Sequence, residues 1–257
     1  MQEKNPYAAP GAPVEDVAHS AVLGELIEGG RAVASANGWQ WIVKGFDLFK
    51  RNPGVWILIL IILFAITWLL SRMWLGQLAA NLIYPVFAGG LMLGCHAQAN
   101  DEALEVAHLF AGFRDRPGQL ILVGFLYMIG VIAAALVASL IFGVSLLASG
   151  LSGAANIAPL TVLLFALVLL ALLVPLAMTI WFAPALVIFH GLPAIEAMKQ
   201  SFQGCVKNMV PFLVYGLIVL GLGIVATIPV GLGWLVLLPT LMASTYCSYR
   251  DIFVNEA

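Results

Sequence analysis

The sequence predicts an all-α, polytopic helical membrane protein, with six transmembrane helices arranged as three hairpins, each preceded by a cytoplasmic interfacial amphipathic helix. Three observations predict it. Hydrophobic residues make up 62% of the 257 residues and charged residues 9%, against about 25% charged in a soluble domain. No Asp, Glu, Lys or Arg occurs between Arg116 and Glu196, or between Lys207 and Arg250. Each tract is long enough for two helical passes of about 20 residues, and a soluble fold would find no charge there for its outer faces. Runs 57–64 and 162–174 are continuously apolar, whereas barrel strands alternate over segments of about ten residues.

Residues 1–20 carry Asn5-Pro6-Tyr7, Pro10-Gly11 and Pro13. They lack apolar periodicity and read as a disordered cytoplasmic tail. No apolar core follows the start, so they do not form a cleaved secretory signal. Residues 21–53 read as a cytoplasmic, interfacial helical segment, with a short helix over 21–36 that Gly29-Gly30 weakens. The membrane domain runs over 54–250, with spans near 54–71, 74–99, 119–148, 157–190, 209–228 and 233–249. A cytoplasmic tail, 251–257, follows. The fourth span is too long for a perpendicular crossing, so it must tilt, kink at Pro175 or break near Pro184.

Orientation follows from Lys and Arg. Lys4, Arg31, Lys44, Lys50 and Arg51 precede the first span, and Arg114 and Arg116 follow the second. Lys199 and Lys207 follow the fourth and Arg250 the sixth. Six spans put all ten on one side, which the bias makes cytoplasmic, and leave only Arg72 opposite. Both chain ends are then cytoplasmic, in an inner membrane.

A repeat lies in the spacing. Phe46-Asp47-Leu48-Phe49-Lys50-Arg51-Asn52-Pro53-Gly54 and Phe110-Ala111-Gly112-Phe113-Arg114-Asp115-Arg116-Pro117-Gly118 share Phe-x-x-Phe, a base, two residues and Pro-Gly. Residues 202–211 are a weaker third copy, with Lys207-Asn208 before Pro211. Each closes an amphipathic stretch: 38–51, with Trp39, Ile42, Val43, Phe46 and Phe49 in one stripe; 101–116, with Asp101 and Glu102 in its first turn; and 193–208, with Pro193 in its first turn. Such helices lie in the interface, aromatics at the acyl boundary and bases at anionic headgroups. The expected lipid- or interface-contacting residues are Trp39, Trp41, Phe46, Phe49, Lys50, Arg51, Phe110, Phe113, Arg114, Arg116, Phe202 and Lys207. Spans two, four and six share a proline, Pro85, Pro175 and Pro239. Thr179, Ser244 and Thr245 are candidates to satisfy the carbonyls those prolines free. The unit therefore reads as a parallel repeat of interfacial helix, span, turn and span.

The run Phe182-Ala183-Pro184-Ala185-Leu186-Val187-Ile188-Phe189, then Gly191-Leu192, Ala197, Ser201-Phe202 and Lys207-Asn208, resembles a signature of uncharacterised six-span bacterial membrane proteins. Similar runs occur in the membrane-anchor domain of some glycerophosphodiester phosphodiesterases. The start, Asn5-Pro6-Tyr7-Ala8-Ala9-Pro10, and the Gly38-Trp39 to Pro53 stretch resemble a proteobacterial family of unknown function. The resemblance implies the fold and the inner membrane. It implies no substrate, and the phosphodiesterase catalytic domain is absent.

Chemistry is hard to find. No ionisable residue lies near a span centre, which weighs against an ion-coupled transporter. Gln77 and Asn81 share a face and read as interhelical hydrogen-bonding groups. Cys95, Cys205 and Cys247 have no paired spacing and read as reduced, packed thiols. His96 and His190 end spans two and four, at a depth like that of Cys95 and Cys247, and His108 reads as a solvated residue of an interfacial helix. No local spacing makes a metal site of them, and no phosphate loop, hydrolase elbow or metalloprotease motif occurs. We therefore expect no catalytic residue, metal or cofactor, and, at a net charge of −2, no nucleic-acid partner. The expected partners are the lipid bilayer and, beyond it, another membrane protein or a second copy of the chain. The reading is a binding, assembly or envelope-homeostasis component. The alternatives are a transporter or channel for a small neutral or lipidic molecule and, last, an enzyme of lipid metabolism. A lateral groove lined by Phe and Trp would favour lipid binding; a polar cavity crossing the membrane would favour transport.

Overall fold

A computed structural model describes residues 24–151 and 158–255, so the expected tail over 1–20 and most of the 149–156 linker lie outside the described residues. In order come β1 (Glu25–Leu26), α1 (Asn37–Arg51), α2 (Pro53–Ser71), α3 (Gly76–Ala99), a 3-10 helix (Val106–Phe113), α4 (Pro117–Leu151), α5 (Ala158–Ile180), α6 (Ala183–His190), α7 (Ala194–Lys207), α8 (Met209–Thr227), α9 (Trp234–Phe253) and β2 (Val254–Asn255). Pro53 and Pro117 stand at the first position of α2 and α4, where a missing N–H costs nothing.

Five stretches among the described residues are helical, long and apolar enough to cross a membrane: Pro53–Ser71, Gly76–Ala99, Pro117–Val144, Val162–His190 and Met209–Thr227. The last expected span, α9, is a helix of 20 residues but falls short in apolarity. The reason is its position. α9 packs against α1, α2, α3 and α8, and its polar groups bond inward. The Ser244 and Tyr215 hydroxyls, for example, share a 2.8 Å hydrogen bond. By contrast α2 buries only Trp56 and Ile59, so nearly all its surface must be apolar to sit in lipid.

The long fourth apolar segment breaks rather than tilts whole. α5 ends at Ile180 and α6 begins at Ala183. Ser201 of α7 holds the break: its hydroxyl accepts the Phe182 N–H at 2.9 Å and donates to the Met178 carbonyl at 2.7 Å. The Phe182–Phe189 run that carried the resemblance is the centre of the core, with every one of its residues buried.

Two expected helical stretches differ. Residues 24–36 are not helical, because Gly29 and Gly30 both adopt φ +66°, a left-handed conformation that ends a helix. Instead Glu25 pairs with Asn255 and Leu26 with Val254 in an antiparallel ladder. The segment is then strapped to α7: the buried Asn208 accepts the Val33 N–H and donates to the Arg31 carbonyl, both at 2.8 Å. In the second interfacial stretch Asp101 (φ +62°) and Glu102 precede the helix rather than opening it. A shorter 3-10 helix, capped by Glu105 and His108, takes its place. The expected tail after Arg250 is ordered through Asn255 by α9 and β2.

Glycines set the crossings. Gly45 of α1 lies against the Thr240 carbonyl and Ser244 N–H of α9, too close for a Cβ. Gly112 of the 3-10 helix lies in the same way against the Val86 carbonyl and Gly90 N–H of α3. Both pairs of backbone groups stand one and five residues after the helix proline, Pro239 and Pro85. Gly124 of α4 sits over the carbonyls of Asn81 and Leu82, where Pro85 removes the donor for Asn81. The hydroxyls expected in that role bond elsewhere. Thr179 donates to Leu176, and Ser244 and Thr245 to Leu241, each within its own helical turn, because short side chains reach only the previous turn. Asn81 likewise donates to its own helix, to the Gln77 carbonyl at 3.0 Å.

Candidate functional site

α1 is the hinge of the site, because its two sides face different cavities. Its inner edge packs through Gly38, Trp41, Ile42, Gly45, Leu48 and Phe49. The glycines let the α1 backbone touch α8 and α9, and that contact, more than the aromatic stripe, decides the rotation of the helix. Trp41 (1% exposed) and Phe49 (6% exposed) are therefore interior residues rather than surface contacts. Trp41 packs on Phe212 and Tyr215.

Along the outer edge of α1, Trp39 (50% exposed) and Phe46 (40% exposed) roof a lateral groove of about 500 Å³. Leu222 and Val225 of α8 and Val236 and Leu237 of α9 form its walls. Its polar side-chain groups are the Trp39 indole N–H and the Thr240 hydroxyl, and that hydroxyl is already donated to the Val236 carbonyl at 2.7 Å. The groove offers mainly apolar contact, with the Trp39 indole as a donor at its roof. At its rim the Lys50 ammonium sits 5.0 Å from the Phe46 ring centroid and 2.8 Å from Asp47.

Across α1 lies a polar cleft of about 370 Å³. Its charged lining is Arg31, Lys44, Asp47, Arg51, Arg250 and Asp251. Asp251 is held through Oδ2, which accepts from the Trp41 indole at 2.8 Å and the Asn37 amide at 2.7 Å, while Oδ1 faces Arg31 at 3.7 Å. Arg51 donates to the Gln98 carbonyl at 2.6 Å and pairs with Asp101 at 2.7 Å. Gln98 is buried and ties three helices: it accepts from Trp56 of α2 and donates to the Leu48 carbonyl of α1.

Behind the cleft the ends of α3, α6 and α9 meet. His96 shares a 3.0 Å hydrogen bond with the Tyr246 hydroxyl, and His190 a 2.6 Å one with Tyr249. Phe189 packs against His96, Tyr246 and Tyr249. The two histidines thus converge on one aromatic cluster, each held by a tyrosine. No group of three potential metal ligands occurs among the described residues.

The other expected contact residues are scattered. Phe110 and Phe113 are exposed on the 3-10 helix and make edge contacts with Phe87. Arg114 is exposed. Arg116 donates to the Gly191 carbonyl at 3.0 Å, and Lys207 to the Gly30 carbonyl at 2.8 Å. Phe202 lies on the outer face of α7. Of the twelve, the structure joins Trp39 with Phe46 in the groove and leaves Arg51 in the cleft. Sequence reading missed Arg31, Lys44 and Arg250 as a group, since no spacing links residues so far apart.

A probable inner membrane protein of Burkholderia thailandensis is 32% identical to this chain over 239 residues, covering 86% of this chain and 83% of the relative. No family model and no solved structure matches. The likeness to phosphodiesterase membrane anchors has no counterpart in these comparisons.

Proposed function

Because the chain belongs to the same family as this probable inner membrane protein of Burkholderia thailandensis, we propose that it is an inner-membrane protein that binds lipid laterally, with an acyl chain in the groove under Trp39 and Phe46. The single observation that carries the reading is that groove: about 500 Å³, apolar on every wall and roofed by an amphipathic helix. Its volume falls within the common range for small-molecule sites of about 300–1,000 Å³. A lining this poor in polar groups, with one indole N–H at its roof and one hydroxyl already bonded, selects a hydrocarbon chain over a polar solute. Lys50 at the rim then stands where a headgroup would lie.

The accompanying topology is six spans in three hairpins, with both ends cytoplasmic. The ladder of Glu25 with Asn255 supports the even number, since strands joined by hydrogen bonds occupy the same side of a bilayer. Five apolar helices plus α9 give six. The Lys and Arg bias favours the cytoplasm for that side. The packing also supports three parallel repeats. α1 packs on α9, the 3-10 helix on α3, and α7 on α5 and α6. Each interfacial helix thus rests on the second span of the preceding hairpin, and the order closes in a ring. The matched seats of Gly45 and Gly112 after Pro239 and Pro85 support the same arrangement.

Photo-crosslinking with a phospholipid that carries a diazirine in its acyl chain tests the groove. In native membranes the labels should concentrate on Trp39, Phe46, Leu222 and Val225. Equal yields on Leu136 and Leu213, exposed apolar positions outside the groove, would refute the reading.

A further inference from the structure

We propose that the polar cleft on the opposite side of α1 binds a phosphate-bearing anion. Four cations, Arg31, Lys44, Arg51 and Arg250, face two carboxylates, Asp47 and Asp251, an excess of two positive charges. Neither carboxylate is idle. Asp251 is held by Trp41, Asn37 and Arg31, and Asp47 by Lys50. Among the described residues no carboxylate lies within ion-pair distance of Lys44, which is exposed at the cleft. An anion entering the cleft therefore meets cationic donors without displacing an ion pair of Lys44.

The cleft is also built rather than incidental. Its floor is Tyr246, Cys247, Leu48 and Ala99, contributed by α9, α1 and α3. Tyr246 is buried and its hydroxyl is fixed by His96 at 3.0 Å. Arg51 is anchored by the Gln98 carbonyl and Asp101, and Arg31 by the Asp251 carbonyl at 2.6 Å. Guanidinium groups held in place lose little freedom when they meet an anion, and their planar forks match phosphate oxygens. Lys44 adds a mobile point charge. The anion is a phosphate, either as the diester of an inner-leaflet headgroup or free in the cytoplasm. This inference does not rest on the groove, because acyl binding uses Trp39 and Phe46 on the other edge of α1.

The test is a ligand titration of the purified full chain in neutral detergent micelles, read by thermal unfolding at constant ionic strength. The probes are dihexanoyl phosphatidylglycerol and inorganic phosphate. Saturable stabilisation is expected, with Lys44→Gln weakening the apparent affinity about tenfold, as loss of one charge-assisted contact does. Lys199→Gln, on α7 and outside the cleft, should bind as the wild type does. Response to phosphatidylglycerol alone assigns a lipid headgroup, and response to inorganic phosphate as well assigns the free anion. The proposal is overturned if neither probe gives a saturable shift. It also fails if Lys44→Gln binds like the wild type, or if Lys199→Gln weakens binding as much as Lys44→Gln. Loss of groove crosslinking with an intact cleft titration would count against the acyl site only.

Discussion

Trp41 and Asp251, 210 residues apart in the chain, are joined by a 2.8 Å hydrogen bond from the indole N–H to the carboxylate. It fastens α1 to the end of α9, within a cluster that also holds Asn37 and Arg31. Trp41→Phe keeps most of the ring packing and removes the donor. The expected loss is about 1.5–3 kcal/mol, as for other hydrogen bonds to charged groups. Denaturant unfolding in micelles measures it, and a loss no larger than that of Trp39→Phe would show that the bond contributes nothing.

Glycine positions separate close crossings from open ones. Gly45→Leu and Gly112→Leu should each destabilise by about 1–3 kcal/mol or more, because the added side chain meets backbone that cannot move aside. Gly54 and Gly118, from the Pro-Gly pairs, have nothing within 4 Å of a built Cβ. Gly54→Ala and Gly118→Ala should leave the unfolding midpoint unchanged. A large loss at Gly54 or Gly118 would mean that the glycines serve the turns rather than the crossings.

The paired ends predict a topology result. A fluorescent reporter that matures only in the cytoplasm should be bright after Ala257 and equally bright before Met1. Alkaline phosphatase, which needs the periplasm, should be inactive at both. Opposite outcomes at the two ends would contradict the pairing of Glu25 with Asn255.

Thiol chemistry reports burial along α1 and α7. Burial pushes the Cys205 thiol up to about 12, so it stays protonated and unreactive to maleimide at neutral pH. In a background without the native cysteines, Lys44→Cys should label with a water-soluble maleimide. Phe46→Cys should label only with a lipid-soluble one, and Phe49→Cys with neither. Rapid aqueous labelling of Phe49→Cys would contradict the observed rotation of α1.

What the sequence by itself determined was local. The charge-free tracts identified the apolar helices. Pro53 and Pro117 marked where helices begin, and Pro184 marked one of three options for the long fourth segment, which the structure resolves as a break two residues before it. These follow from nearest-neighbour chemistry: a missing N–H, a run of apolar side chains, a left-handed glycine. The Gly29-Gly30 warning was of the same kind, though it gave no hint of the ladder that replaces a helix. The tertiary structure alone decided which edge of α1 faces inward, because Gly38 and Gly45 fit the backbones of α8 and α9 more closely than an aromatic stripe can. It alone brought His96 to Tyr246 across 150 residues and His190 to Tyr249 across 59. It also gathered Arg31, Lys44, Arg51 and Arg250 around one cleft. Hydropathy ranks a helix by how it would meet lipid, so it does not register that the polar side chains of α9 are bonded inside the bundle. Pairings of this kind depend on how helices pack, and no periodicity within a single segment encodes them.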